Sequence, residues 1–307
     1  MPMPEAAPIV VVGSVNVDHV VTATRFPAPG ETVAGTSIST AVGGKGANQA
    51  VAAALAGGSV TMVASIGDDG DGADAKKRLS EHGVDTGHVA VSPSTPTGTA
   101  WITVAEGDNT IIVVPGANGR WSVGALPGVI DTAAIVVCQL EIPLEIVAAV
   151  AERTSGRFVL NAAPAAALPD RLLARCDVLV VNEHELAAVA DTAVTVDDDG
   201  IVAAHAQLRR RGVKAVVTTR GAAGAVVTDD DGRTTILPAL PSTVVDTTGA
   251  GDAFVGVTVA RLSLGEPLAA ACRWGIVAGA LAVRALGAQE SYADLSTLSR
   301  VSQEYRS

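Results

Sequence analysis

Asp246-Thr247-Thr248-Gly249-Ala250-Gly251-Asp252-Ala253-Phe254 is the stretch that decides how this chain is read. A β-branched run, Ser242-Thr243-Val244-Val245, gives way there to glycines and then to an apolar-periodic stretch from Phe254 to Leu264, the pattern of a helix N-terminus. Gly249 and Gly251 let bare backbone N–H groups approach a ligand, and the helix adds about half a positive charge at that end. A phosphate fits such a place. Asp252 competes with that anion unless it serves as a proton acceptor beside it, so cradle and base together point to phosphoryl transfer to a hydroxyl. The alternative is a glycine-rich turn with Asp252 as a helix cap.

Upstream, Ile9 to Val12 ends at Gly13 and reads as a strand buried on both faces. His19 to Thr24 and Glu31 to Thr40, separated by Pro27-Ala28-Pro29-Gly30, suggest strands that project from the main sheet before a first helix over Lys45 to Leu55. A strand over Val60 to Ile66 and a helix over Gly72 to His82 follow. Thr97 to Val104 and Thr110 to Val114 flank Glu106-Gly107-Asp108-Asn109 as a hairpin, which can join the projecting strands in a small second sheet. Strands at Ala134 to Leu140, Phe158 to Ala162, Val178 to Val181 and Ala215 to Thr219 then alternate with helices at Leu144 to Arg153, Leu168 to Ala174, Glu183 to Ala190 and Ile201 to Arg211. A hairpin around Asp229-Asp230-Asp231-Gly232 comes next, and the Ala-rich segment Ala269 to Ala288 reads as a buried helix. The expected fold is α/β: a doubly wound, mostly parallel sheet with helices on both faces, plus a small β-sheet lid. One domain over 1–307 is expected, with the lid segments inserted at about 15–42 and 97–115.

In 307 residues, 48% are hydrophobic and 17% charged, so a globular core is affordable, but aromatics at 3% leave it to Val, Ala, Leu and Ile. The net charge of −11 argues against nucleic acid or an anionic membrane as partner. Nucleotide binding then depends on helix N-termini, a lysine and bound cations. Cys138, Cys176 and Cys272 lie apart in apolar stretches, as free thiols in a reducing cytoplasm do. Met1 to Pro8 lacks the basic residue and apolar run of a signal peptide, and no segment reads as a membrane span.

Ligands of doubly wound sheets bind beyond the carboxyl ends of the strands, and polar residues collect there: Asn16 and Asp18, Glu141, Asn182 with Glu185, and Thr219 with Gly221. Gly43-Gly44-Lys45-Gly46-Ala47-Asn48-Gln49 opens a helix with small residues and one cation, suiting close approach of a hydroxyl-rich ligand; a tight loop with a solvated Lys45 is the other reading. It is not a Walker A loop, and Gly13-Ser14-Val15-Asn16 is not a dinucleotide fingerprint. Asn182 and Glu185, three apart on one helix face, could orient water around Mg²⁺ on a triphosphate, although Asn182 is also a good N-cap. His184-Glu185-Leu186-Ala187-Ala188 lacks the second histidine of a zinc protease, and His19, His82, His88 and His205 have no ligand spacing. Asp197-Asp198-Asp199 reads as a solvated helix entry.

Together these segments resemble the carbohydrate kinases of the ribokinase family over nearly the whole chain. The resemblance lies in Gly13 to Asp18, Phe26-Pro27-Ala28-Pro29-Gly30-Glu31-Thr32, Gly43 to Ala53, Gly116-Ala117-Asn118, Gln139-Leu140-Glu141, Asn182-x-x-Glu185 and Asp246 to Phe254. It implies an ATP-dependent sugar kinase acting on the 5-hydroxyl of D-ribose, with Asp252 as base and the N–H groups of Gly249, Ala250 and Gly251 holding the transferred charge. Asn16, Asp18, Gly44, Lys45, Asn48 and Glu141 match sugar-binding positions, while Asn182, Glu185, Thr219, Gly221 and Gly251 fall on the nucleotide side. The resemblance also implies a K⁺ site at Asp246, Thr248, Ala282, Ala285, Gly287 and Ser291, and a lid that mediates homodimerisation. Ile276 and Arg220 depart from the family pattern and leave the nucleotide preference open. A same-fold kinase for deoxyribose, fructose, ribitol or adenosine, and a sugar sensor without catalysis, are the competing expectations.

Overall fold

Four consecutive aliphatic residues with no polar face form β1 (Ile9–Val12), an interior strand of the main sheet buried on both sides. The computed structural model describes residues 6–194 and 197–306; Met1 to Glu5, part of the stretch read for a signal peptide, lie outside the described residues. The remaining strands are β2 (Asn16–Ala23), β3 (Gly35–Gly43), β4 (Val60–Gly67), β5 (Asp85–Ser92), β6 (Gly98–Ala105), β7 (Asp108–Val114), β8 (Ile135–Cys138), β9 (Arg157–Asn161), β10 (Val178–Asn182), β11 (Ala215–Thr219), β12 (Ala225–Thr228) and β13 (Thr234–Leu237). The helices are α1 (Lys45–Leu55), α2 (Gly70–Glu81), α3 (Val129–Thr132), α4 (Leu144–Arg153), α5 (Asp170–Leu173), α6 (Glu183–Ala190), α7 (Asp198–Arg210), α8 (Ala250–Ser263), α9 (Leu268–Ala282) and α10 (Leu295–Arg306).

The main sheet runs β13-β12-β11-β10-β9-β8-β1-β4-β5, parallel from β11 to β5 and antiparallel through β12 and β13. From β1 the chain moves outward through β4 and β5, then returns at β8 and builds the other half. The strand order therefore reverses between β1 and β8, and a crevice opens beyond their carboxyl ends. One face is covered by α1, α2, α8, α9 and α10 and the other by α3 to α7, giving a core on each side.

β2 leaves the main sheet at Asn16 and forms a second sheet, β3-β2-β6-β7, with β2 and β6 parallel. Asp69 ties this sheet to α2: its carboxylate caps Gly72 N–H and accepts from the N–H and hydroxyl of Thr97. The β6–β7 turn is tighter than expected, only Glu106 and Gly107, both at positive φ as a type I′ hairpin requires.

Three sequence readings need correction. β5 was not anticipated, because among its residues only Val89 is buried and the segment carries Asp85 and Gly87, as an edge strand can. α5 is a single turn, and the helix expected over Ala269 to Ala288 stops at Ala282, where the chain turns back across Asp246 with Gly287 at φ 82°. His205, read as a surface or packing residue, packs in the core: it bridges Thr218 and Thr228 across β11 and β12, and burial pushes its pKa down to about 4.

The contact that positions the site is the crossing of α1 over α8. Gly256 has no side chain there, and a Cβ would lie 2.5 Å from the Gln49 carbonyl oxygen and 2.7 Å from Ala52 Cβ. Asp252 is one turn before Gly256 on the same face of α8, while Asn48 and Gln49 are one turn before Ala52 and Ala53 on α1. Gly256→Val should therefore force the helices apart and cost about 1–3 kcal/mol, read as a lower urea midpoint at unchanged slope. A wild-type midpoint would contradict the close crossing.

Candidate active site

α8 begins at Gly249, which adopts a left-handed φ of 73°. A Cβ at Gly249 would strike Ala288 Cβ and the Tyr292 hydroxyl oxygen at 2.6 Å, and that hydroxyl donates to the Gly249 carbonyl at 3.0 Å. Gly251 is different. Its backbone is unstrained, a built Cβ would meet no protein atom within 4 Å, and its N–H finds no acceptor among the described residues. The glycine is not demanded by the fold; its open side faces a cleft of about 200 Å³. Ala250 N–H reaches back to the Thr247 carbonyl at 3.3 Å, so of the three amides expected to cradle an anion it is already engaged.

The same cleft is lined by Lys45, Asn182, Glu185, Thr219, Gly249 and Asp252, which brings the lysine expected on the sugar side among residues expected on the nucleotide side. Asp252 is buried; its Oδ2 accepts from Asn48 Nδ2 at 3.0 Å and its Oδ1 from Gln49 Nε2 at 2.9 Å. Burial raises its pKa, opposed by Lys45 and the two amide donors, and Glu141 adds to the rise. A carboxyl held above its ordinary value suits a base operating near neutrality. Burial works against the charge on Lys45, but Asp252, Glu141 and Glu185 outweigh it and hold the ammonium above its usual pKa.

On the other side of Asp252, the second sheet delivers Asn16 and Asp18 at the start of β2. Gly98 makes room for Asn16, whose Oδ1 accepts from Asn118 Nδ2 at 2.7 Å, and Gly43 makes room for the Asp18 carboxylate, 2.2 Å from a built Cβ. No donor among the described residues reaches that carboxylate. Burial, then Glu141, Glu290 and Asp252, push its pKa up to about 6. A desolvated carboxylate left without donors has acceptor capacity that hydroxyl groups of a ligand could fill. Gly44, at φ 90°, caps α1, and Glu141 Oε2 accepts from Ser14 Oγ at 2.6 Å and Lys45 N–H at 2.9 Å, leaving its other oxygen for a ligand.

Asn182 and Glu185 make a capping box at the start of α6: Asn182 Oδ1 accepts from Glu185 N–H, and Glu185 Oε2 from Asn182 N–H, both at 2.8 Å. The cap is real: it engages the single side-chain oxygen of Asn182 and one of the two on Glu185, leaving Glu185 Oε1 outside the cap, where it could reach the hydration shell of a divalent cation. Burial raises the Glu185 pKa, with the Asn182 N–H and Lys45 opposing. Thr219 ends β11, and Gly221, at φ 51°, turns the chain beyond it with open space beside its Cα. Arg220 is drawn along this turn by an ion pair with Asp198 and a bond to the Ala223 carbonyl. Ile276 is buried within α9.

Asp246 gathers part of the expected cation site. Its Oδ1 accepts from the N–H and hydroxyl of Thr248 at 2.9 and 2.7 Å, and its Oδ2 from Gly287 N–H at 2.9 Å. Burial works against this carboxylate, but those three donors hold its pKa below the ordinary value. The Ala282 carbonyl accepts from Ala285 N–H at 3.4 Å and Ser291 Oγ donates to the Ala288 carbonyl, so Ala282, Ala285 and Ser291 follow the same returning chain but show no hydrogen bond to Asp246. Oxygen donors of this kind are what a group 1 cation takes, but of the expected set the structure joins only Thr248 and Gly287 to Asp246. The Asp229-Asp230-Asp231 turn also clusters carboxylates, but it lies at the far β12–β13 hairpin.

Sequence reading passed over Gln49, Asn161 and Gln289 as site residues. Asn161 ends β9 as Asn182 ends β10, so the strand-end rule that found one applies to the other. Gln49 sits in a run of alanines on a buried helix face, where an amide requires a partner.

The profile of the pfkB family carbohydrate kinases matches residues 6–295. The chain is 37% identical over 290 residues to the ribokinase of Haemophilus influenzae, covering 92% of this chain and 94% of that one. It is 35% identical over 297 residues to the deoxyribokinase of Salmonella typhi, covering 92% and 95%. Among solved structures, Arabidopsis thaliana ribokinase complexed with ribose and ATP superposes with a TM-score of 0.90 at 30% identity, covering 97% of this chain and 99% of that one.

Two variants separate fold from site. Gly251→Ala should keep or slightly raise the melting temperature, since alanine is favoured over glycine in a helix by up to about 1 kcal/mol, yet lower turnover at least about tenfold. Full activity in that variant would mean that no ligand approaches the amide. For Asp18, the folded state binds the proton more tightly than the unfolded chain, so stability falls as pH rises from 3.8 to about 6 and the penalty is complete at neutrality. Asp18→Asn should thus stabilise the protein at pH 7.5 by on the order of 2 kcal/mol, with the gain fading below pH 4. A destabilised Asp18→Asn at pH 7.5 would contradict the desolvation argument.

Proposed function

The chain belongs to the pfkB family of carbohydrate kinases, and from that membership we propose that it transfers the γ-phosphoryl group of ATP to the 5-hydroxyl of D-ribose. The observation that carries this reading is the placement of Asp252: in the first turn of α8, beside the free Gly251 amide, between a cleft lined by Lys45 and Thr219 and the Asn16–Asp18 end of the second sheet. Asn16, Asp18, Asn48 and Glu141 offer hydrogen bonds to the sugar hydroxyls, and Gly44 allows the ring to come close. Asp252 accepts the proton of the attacking hydroxyl, while the Gly249 and Gly251 amides, α8 and Lys45 hold negative charge on the transferring phosphoryl group. Catalysis on this reading is positioning and electrostatics.

Asn182, Glu185, Thr219 and Gly221 belong to the nucleotide side. Mg²⁺ on the triphosphate would neutralise phosphate charge, with Glu185 orienting its water shell. K⁺ held by Asp246 and the carbonyls of the returning chain would stiffen the anion-binding loop. The second sheet serves as a lid and as a dimer contact: Trp101 and Ile112 pair across it with 50% and 69% of their surface exposed, and Ile38, on the same face, exposes 69%. Among the described residues no helix is long and apolar enough to cross a membrane. Cys138, Cys176 and Cys272 are buried free thiols, as suits a reducing compartment, and on that ground we place the enzyme in the cytoplasm.

A coupled assay across ribose, deoxyribose, fructose, ribitol and adenosine tests the substrate, and ribose should give the highest kcat/KM. Preference for deoxyribose, the activity named for the Salmonella relative, would favour that rival; no turnover of any would favour a sensor. Asp252→Asn should lower kcat by about 10² to 10⁴ while sugar affinity changes little. Replacing K⁺ with Na⁺ at equal ionic strength should slow the wild type, and equal rates would remove the cation from the account.

A further inference from the structure

Asp252 is held by side chains that have no assigned role, and the arrangement of their amides is unambiguous. Gln49 is buried, and its Nε2 lies 2.9 Å from both Asp252 Oδ1 and Asn161 Oδ1. A carboxylate can only accept, and Asn161 must present its oxygen because its Nδ2 donates to the Val180 carbonyl at 3.1 Å. The Gln49 nitrogen therefore uses both hydrogens, and its Oε1 accepts from Gln139 Nε2 at 2.7 Å. Flipping this amide would set oxygen against oxygen at Asp252 and Asn161 and nitrogen against nitrogen at Gln139. Gln139 follows β8 and Asn161 ends β9, so two strand ends of the rigid sheet fix the amide that meets the carboxylate. On the other oxygen, Asn48 is oriented in the same way, since its Oδ1 accepts from Gln289 Nε2 at 3.0 Å.

We propose that Gln49 is a positioning residue for the reaction: held by Gln139 and Asn161, it donates to Oδ1 of Asp252 and fixes the plane of the carboxylate, so that the remaining lone pairs face the incoming hydroxyl. The proposal rests on Asp252 being the base. A donor to the anionic form also favours that form, so its removal moves the proton affinity of Asp252 upward. The other charged or titratable groups facing Asp252 are Lys45 on α1, Asp18 on β2, Glu141 after β8, Glu185 on α6 and Tyr292 on the chain beyond α9, with Glu290 facing Asp18 and Tyr292 behind them. None of them is altered by substituting position 49.

The test is the pH dependence of kcat in Gln49→Met and Gln139→Met, with thermal melts and sugar KM measured alongside. Gln49→Met should move the acidic limb up by about one unit and lower kcat at pH 7 by about 10- to 100-fold, with sugar KM within about threefold of wild type. Part of the loss should return at pH 9. Gln139→Met removes an equally buried amide one step further away; it should lower the melting temperature and leave the limb in place. Where Gln49→Met does not fold, Gln49→Glu replaces it: the isosteric carboxyl faces Asp252 as a like charge and should move the limb upward too. A folded variant at position 49 with the wild-type limb and a kcat within about twofold of wild type overturns the proposal. The assignment of the base fails separately, on near-normal turnover in Asp252→Asn.

Discussion

Everything chemical in this molecule depends on two helices approaching more closely than side chains ordinarily allow. α1 and α8 come from opposite ends of the chain, and Gly256 lets the backbone of α1 lie against α8. One turn away from that contact, the Asn48 and Gln49 amides meet the two oxygens of Asp252. Desolvation makes this carboxylate a better proton acceptor and would also destabilise its charge. The two donors and Lys45 counter that cost without removing the effect, so the group stays ionisable and oriented.

The sheet provides the second constraint. Reversal of strand order between β1 and β8 opens the crevice, and residues just past the strand ends fill its wall: Ser14 and Asn16 after β1, Gln139 and Glu141 after β8, Asn161 at the end of β9, Asn182 at the end of β10. Their hydrogen bonds run mainly to one another and to α1, as in Ser14 to Glu141 and Gln49 to Asn161. Asp18 stands apart. It is desolvated and finds no donor among the described residues, a folded-state cost that the proposed sugar hydroxyls would relieve.

Much of this could be read in the sequence because the informative signals are local. The turn chemistry of Gly249 to Asp252, the strand-to-loop steps at Gly13, Leu140 and Val181, and the alternation of β-branched runs with Ala-rich helices place the crevice without coordinates. Signals that depend on tertiary partners were not legible. β5 is an edge strand with a single buried residue and no alternation. The end of α9 at Ala282 is set by the return of the chain over Asp246, a contact across 41 residues that helix propensity does not record. Gln49 and Gln289 acquire meaning only from residues far along the chain, Asp252 and Asn48. Asn182 was legible both as a cap and as a ligand contact, and the capping half of that pair is realised in the capping box with Glu185.

The most direct measurement is a crystal structure of the protein with D-ribose and a non-hydrolysable ATP analogue. The account predicts the sugar 5-hydroxyl at about 3 Å from an Asp252 carboxylate oxygen, with the terminal phosphate against the Gly251 amide. A sugar bound with that hydroxyl turned away from Asp252, or a terminal phosphate held elsewhere than the start of α8, would contradict it.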